Sequence, residues 1–170
     1  MRKILFLAVL VVVALAIAGT TALATGGSGG KKFSAKLTGY QEAPSAVSTA
    51  ASGKFTAKLD GEELSYTLSY SGIEGGTVPF AHIHLGPRAV AGGVIAFLCG
   101  GGDKPACPAT AGTVTGVIDP ADVIGPAAQG IAPGEFDELV RAMRAGAAYA
   151  NVHSMPMWPA GEIRGQIKRG

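Results

Sequence analysis

Three histidines are the residues of this chain best suited to chemistry, and the sequence contains no others. His82 and His84 are separated by one residue, so on a β-strand both rings leave the same face. His153 lies much later in the chain. Imidazole nitrogens are good ligands for copper and zinc, and three of them leave coordination positions open for water or a ligand. If the strands that carry them are neighbours, the sequence predicts a mononuclear copper or zinc site, conceivably redox-active.

Polar residues on two late segments accompany these histidines. On a strand, Asn151 and Tyr149 share the face of His153, and the last segment places a second polar set on one face. That second set is Glu162, Arg164 and Gln166, and together with Asn151 it makes up the candidate polar network. Such residues can equally form a structural hydrogen-bond network, in which Glu162 and Arg164 orient side chains and bind loop backbone. Both interpretations stay open, and Met155 or Met157 could add a thioether ligand.

The two cysteines, Cys99 and Cys107, predict a disulfide. The loop between them contains three glycines and a proline, so a bridge would restrain a segment with little packing of its own. The spacing is not Cys-x-x-Cys, which argues against a redox-active pair, and a two-cysteine metal site is the third alternative. A structural disulfide fits an oxidising compartment.

The first 24 residues have the features of a signal peptide. Arg2 and Lys3 precede an unbroken apolar run over residues 4–18, and Ala22 and Ala24 provide the small residues of a cleavage site. The run is short for a membrane-spanning helix, which needs roughly 20 apolar residues. We therefore expect a secreted, extracellular or periplasmic protein, with membrane contact only through the leader if it stays uncleaved. Residues 25–31 predict a flexible linker and residues 32–168 a single domain.

Charge and motifs exclude several classes of function. Two of the 14 basic residues lie in the leader, so the remaining basic residues equal the 12 acidic residues in number. A nucleic-acid-binding protein usually carries a basic excess, and none is expected here. The chain also lacks a Gly-x-Ser-x-Gly elbow and a phosphate-binding loop. We expect no enzyme activity from these motifs.

The rest of the chain predicts many short strands and one helix. Candidate strands cover residues 32–37, 53–59, 64–70, 81–85, 93–98, 112–118, 148–153 and 162–168. Asp60-Gly61 is a hairpin signal between two alternating segments. Residues 134–145 have the apolar spacing of an amphipathic helix, which Gly146 ends. A proline-containing loop through Met155-Pro156 and Trp158-Pro159 would join the last two strands. The fold class is mostly β: an antiparallel, Greek-key-like sandwich or barrel with one short helix.

Four segments resemble the CHRD (chordin-type) domain family. They are LTGYQEAP at 37–44, AHIHLG at 81–86, YANVHS at 149–154 and PAGEIRGQI at 159–167. The resemblance spans about residues 33–167, and only Ala150, where a larger apolar residue is usual, departs from it. It implies an extracellular, mostly β domain that occurs alone in many microbial proteins and as repeats in chordin. The growth-factor binding of chordin is not expected here, and the family implies no established catalysis.

A weaker resemblance links the chain to copper/zinc superoxide dismutases. His82-Ile83-His84 resembles the paired copper ligands of that family, and Val152-His153 resembles a later ligand. The sequence has no fourth histidine to bridge two metals and no histidine-rich zinc loop, so a two-metal dismutase is not expected. The leading hypothesis is a secreted or cell-surface module with a binding or structural role and an unknown extracellular or envelope partner. The alternative is the mononuclear metalloprotein.

Overall fold

The computed structural model describes residues 31–170. The predicted signal peptide and all but the last residue of the predicted linker lie outside the described residues. Within them, no helix has both the length and the apolar character needed to cross a membrane.

Ten strands and one α-helix make up the described domain. The strands are β1 (Lys32–Thr38), β2 (Ser52–Asp60), β3 (Glu63–Ser71), β4 (Gly76–Thr77), β5 (Ala81–Leu85), β6 (Val94–Cys99), β7 (Gly112–Ile118), β8 (Ala148–Pro156), β9 (Trp158–Gln166) and β10 (Lys168–Arg169). The helix α1 covers Phe136–Arg144. Three short 3-10 turns lie at Gly39–Gln41, Pro120–Asp122 and Ala127–Gln129.

The strands form one antiparallel sheet in the order β6-β5-β8-β9-β1-β2-β3-β7, with β10 paired to β1 and β4 paired to β8. The sheet curves until its two ends approach each other. The hydroxyl of Tyr66 on β3 donates to the carbonyl of Leu98 on β6 at 2.6 Å, which ties the two ends across the gap. The result is a nearly closed barrel or sandwich, as the alternating segments predicted.

The core follows from the alternation along each strand. On β1, β2 and β3, every second residue is buried, including Phe33, Phe55 and Leu68. Helix α1 buries Leu139 and Met143 against the same core. Its first turn is acidic and its last turn basic, which suits the helix dipole, and Gly146 ends it with a left-handed φ of 69°.

The connection between the last two strands is shorter than the sequence predicted. Met155-Pro156 and Trp158-Pro159 belong to β8 and β9, and the chain reverses at Met157. The expected loop was wrong because β4 pairs with this end of β8, placing Gly76 opposite Pro156. Proline is tolerated at a strand end, because the N–H that it lacks is not needed there for hydrogen bonding within the sheet.

Candidate functional site

Strand pairing brings the polar residues of β5, β8 and β9 onto one face. His82 lies opposite Asn151 and His84 opposite Tyr149 in the antiparallel pair of β5 and β8. On the other side of β8, Asn151 lies opposite Arg164 of β9. The strands that carry the histidines are therefore neighbours, as the metal-site hypothesis required.

The three histidines converge in the fold. Nδ1 of His82 lies 3.1 Å from Nε2 of His153. One ring nitrogen from each of the three, including His84, lies within 4.8 Å of the others. All three side chains are buried, at 5–7% exposure. We call His82, His84 and His153 the three-His cluster.

Backbone carbonyls orient two of the imidazoles. Nδ1 of His84 lies 3.0 Å from the carbonyl oxygen of Gly92, and Nδ1 of His153 lies 2.9 Å from that of Pro159. A carbonyl can only accept, so each Nδ1 carries the proton and each Nε2 presents a lone pair to the cluster. Nε2 of His84 is buried and has no partner among the described groups. Metal-binding histidines use this arrangement, in which the distal N–H is held by a carbonyl or carboxylate.

Gly92 is required for the position of His84. A Cβ added to Gly92 would lie 1.5 Å from the carbonyl oxygen of Leu85, so no other residue fits there. The close backbone approach places the Gly92 carbonyl beside the imidazole, and the Gly92 N–H donates to the Tyr149 hydroxyl at 3.1 Å. The Tyr149 ring in turn stacks on His84, with centroids 4.9 Å apart and planes 6° apart.

Burial keeps the imidazoles neutral. It lowers the pKa of His82 to about 3, and repulsion from the two neighbouring imidazoles acts in the same direction. Burial also lowers the pKa of His84 to about 4 and lowers the pKa of His153. Only neutral imidazole coordinates a metal ion, and no net proton has to be lost near neutral pH. Nδ1 of His82 donates to Nε2 of His153 at 3.1 Å, so metal binding through that atom requires its proton to move to Nε2 of the same ring.

Two aromatic rings that the sequence analysis did not single out border the cluster. Phe97 packs against His82 with centroids 4.5 Å apart, and Phe80 packs against both His82 and His153 at 5.0 Å. Both phenylalanines are half-buried, so they separate the imidazoles from solvent. The alternation of β6 placed Phe97 on one face, but nothing local to the sequence indicated its proximity to a histidine.

The carboxylate beside Asn151 and Arg164 is Glu42, which was not among the residues predicted for the polar network. Nδ2 of Asn151 donates to Oε1 of Glu42 at 2.7 Å and to the carbonyl oxygen of Ile163 at 2.9 Å. Glu42 is buried, and burial raises its pKa to about 7 against the opposing effects of the Asn151 hydrogen bond and the Arg164 charge. Its place in the 37–44 motif was the one available signal.

Glu162 and Gln166 bind other parts of the fold. The carboxylate of Glu162 accepts from the Thr49 hydroxyl at 2.8 Å and from the backbone N–H groups of Glu74 at 2.9 Å and Gly75 at 3.1 Å. Nε2 of Gln166 lies 2.8–2.9 Å from three carbonyl oxygens, among them that of Gly86. Glu162 binds loop backbone, as the network hypothesis stated, but Glu42 is the carboxylate hydrogen-bonded to Asn151.

Arg164 is the largest fully buried side chain. Its guanidinium carbon lies 3.5 Å from the centre of the Tyr149 ring, a cation–π contact, and Nη2 donates to the carbonyl oxygen of Pro87 at 2.9 Å. Because β8 lies between β5 and β9, the Tyr149 ring sits between His84 and Arg164. The polar face thus continues from the three-His cluster to a buried cation.

The predicted disulfide between Cys99 and Cys107 is present, with Cα atoms 5.1 Å apart. It joins the end of β6 to the loop before β7. Met155 and Met157, considered as thioether ligands, are 43% and 62% exposed at the tip of the β8–β9 hairpin.

Fold and site together define a small antiparallel β domain with three neutral, buried and oriented imidazoles. Comparison with protein-family models finds a match to the CHRD domain over residues 33–167. The match covers most of the chain, and the protein belongs to the CHRD-domain family. Comparisons with curated proteins and with solved structures found no match.

Proposed function

We propose that this CHRD-domain protein is an exported, extracellular or cell-surface module that binds one copper or zinc ion at the three-His cluster. The observation that carries the proposal is the orientation of the imidazoles. The carbonyls of Gly92 and Pro159 hold two Nδ1–H groups, which leaves lone pairs on Nε2 of His84 and His153, and one nitrogen of each histidine lies within 4.8 Å of the others. The leader and the Cys99–Cys107 bridge support export, because disulfides persist in oxidising compartments.

The nitrogen spacing supports a metal site. Two ligands about 2.05 Å from a tetrahedral ion lie about 3.3 Å apart. Nδ1 of His82 and Nε2 of His153 are 3.1 Å apart, close to that spacing. The imidazole of His84 has to approach by at most roughly 1.5 Å from the 4.8 Å limit to complete a three-nitrogen site.

The donor set favours copper(I) over a divalent ion. Three imidazoles contribute no negative charge, and the carboxylate of Glu42 is hydrogen-bonded to Asn151. No ligand would neutralise the charge of a buried dication, so its desolvation penalty would be large. The desolvation penalty of a monocation is smaller. A metal bound here would supply an open coordination position, while the chain's own residues fix the ligands and exclude bulk water.

Metal analysis of the protein, purified without a polyhistidine tag, tests the proposal. After chelator treatment and loading with copper(I), copper(II) or zinc, we expect about one ion per chain, with copper(I) held most tightly. The double variant His82→Ala/His84→Ala should lose the ion while circular dichroism reports a folded chain. A matched control, Glu62→Ala in the exposed β2–β3 turn, should keep it.

Two results would contradict the proposal. One is a folded wild-type chain that takes up no copper or zinc, which would leave the cluster a structural hydrogen-bond network built around the contact of His82 with His153. The other is equal metal content in the wild type and the double variant, which would place any bound ion elsewhere.

A further inference from the structure

A second site lies on the far side of Tyr149 from the three-His cluster, where the buried cation Arg164 lines a cavity of about 160 Å³. Arg164 is 2% exposed, and among the described residues no carboxylate lies within ion-pair distance of it. It donates one hydrogen bond, to the carbonyl oxygen of Pro87, although a guanidinium has five donors. A buried charge is costly unless it is paired, so the cavity suits an anion.

A second cation lines the cavity. Arg88 brings another guanidinium to it, whereas the amide N–H₂ groups of Gln41 and Gln166, which also line it, donate to backbone carbonyls. Glu42 is the single carboxylate in the lining, and its raised pKa of about 7 leaves it partly protonated near neutral pH. The lining therefore carries a positive net charge.

A groove of about 300 Å³ shares Gln41, Arg88 and Gln166 with the cavity and extends it along the outer face of the sheet. Lys36, Lys54 and Lys168 line this groove, and no acidic residue does. We call the cationic surface formed by the cavity and this groove together the anion groove.

Strand register places lysines of neighbouring strands directly opposite each other, where their like charges repel. Lys36 lies directly opposite Lys54 in the pair of β1 and β2, and four residues earlier Lys32 lies opposite Lys58. Like charges directly opposite each other destabilise a sheet. Within β1, β2 and β3, the acidic residues of this face are Asp60 and Glu63, which lie opposite each other at the hairpin end. An anionic ligand would relieve this repulsion, so the arrangement of lysines suits the binding of an anion.

The character of the surface points to an acidic glycan as the ligand. Tyr40, at the mouth of the cavity, is 72% exposed and presents an aromatic face on which a sugar ring can stack. Between the lysines the face carries Ser34 and Thr56, and it presents no bulky aliphatic side chain that could insert into a bilayer. We propose that the anion groove binds a linear acidic oligosaccharide, with one carboxylate or sulfate on Arg164 and Arg88 and further acidic groups on the lysines.

Calorimetric titration of the purified protein with a galacturonate or heparin oligosaccharide tests the inference, with a neutral dextran oligosaccharide as the uncharged comparison. We expect salt-sensitive binding of an acidic probe and none of dextran. Arg88→Gln and the double variant Lys36→Gln/Lys54→Gln should each weaken binding by about tenfold or more. The matched control Arg144→Gln, which removes an exposed cation on α1, should leave affinity within about twofold.

A second measurement needs no substitution in the cavity. On titration of isotope-labelled wild-type protein, the Nε–H signal of Arg164 should shift with the acidic oligosaccharide and stay unchanged with dextran. Equal weakening by Arg88→Gln and Arg144→Gln, or an unmoved Arg164 signal, would overturn the proposed site. Equal binding of single-stranded DNA or of phosphatidylglycerol vesicles would overturn the assignment to glycans. None of these outcomes depends on metal binding at the three-His cluster.

Discussion

Replacing Glu162 with alanine should strongly destabilise the domain, because this one carboxylate holds two loops. Thr49 belongs to the β1–β2 connection, whereas Glu74 and Gly75 belong to the β3–β4 connection. Glu162 is fully buried, so water cannot simply take over all of its hydrogen bonds. The alanine side chain would leave three donors without their acceptor.

The magnitude follows from how each donor is buried. The N–H of Gly75 is buried and loses its only partner, at a cost of about 1–3 kcal/mol. The Thr49 hydroxyl and the Glu74 N–H are partly buried and can reach water, so each loses about 1 kcal/mol. We expect Glu162→Ala to lower the free energy of unfolding by about 3–5 kcal/mol in total. Glu162→Gln keeps the acceptor for Thr49 and Glu74 but turns an amide N–H₂ toward Gly75, so its loss should be intermediate.

Urea unfolding followed by circular dichroism at pH 7.5, with chelator present, measures these differences. Glu62→Ala, an exposed acidic residue in the β2–β3 turn, serves as the control and should change stability by less than about 0.5 kcal/mol. Amide hydrogen exchange adds a local readout, since the Gly75 N–H should lose protection in Glu162→Ala. If Glu162→Ala unfolds like the control and Gly75 stays protected, the reasoning that this carboxylate anchors both loops is refuted.

Two further predictions concern pH and the disulfide. His82 and His84 have pKa values of about 3 and 4 in the folded chain and about 6.5 in the unfolded chain. Because acid therefore protonates the unfolded chain first, the free energy of unfolding should fall by about 4 kcal/mol between pH 7.5 and pH 5. Glu42 acts oppositely: its pKa of about 7 makes the folded state bind a proton before the unfolded state does, which adds roughly 2 kcal/mol to stability over the same range. Urea unfolding with chelator should show that the wild type is less stable at pH 5 than at pH 7.5, and that this loss of stability is larger in Glu42→Gln. An unchanged or smaller loss in Glu42→Gln would contradict the raised pKa of Glu42. Reducing the Cys99–Cys107 bridge, which spans eight positions, should lower stability by about 2.5 kcal/mol, and calorimetry with the same Tm in reducing and non-reducing buffer would contradict it.

The local features of this fold were predictable from the sequence. Alternation identified β1, β2 and β3 and their buried faces, Asp60-Gly61 marked the hairpin, and the apolar spacing of α1 was correct to within two residues at its start. These signals are local, because side-chain direction repeats every two residues in a strand and every 3.6 in a helix. The CHRD motifs added the family, which the match over residues 33–167 confirms.

The candidate site was predictable in part. The spacing of His82 and His84 placed both imidazoles on one face, but it said nothing about which strand lies beside β5. Glu42 was missed because its hydrogen bond to Asn151 joins residues more than a hundred positions apart. Glu162 was expected beside the histidines, yet it binds the loops of Thr49 and Gly75.

The sequence by itself determined which residues could do chemistry and which face of its strand each one occupies. Only the tertiary structure decided that β5, β8 and β9 are neighbours and that Gly92 and Pro159 orient two of the imidazoles. It also decided that Arg164 is buried with no carboxylate of residues 31–170 within ion-pair distance. The physical reason is that alternation fixes a side chain's direction within its own strand, whereas strand order depends on long-range packing of the whole core. Chemistry that needs groups from three strands is therefore set by the fold.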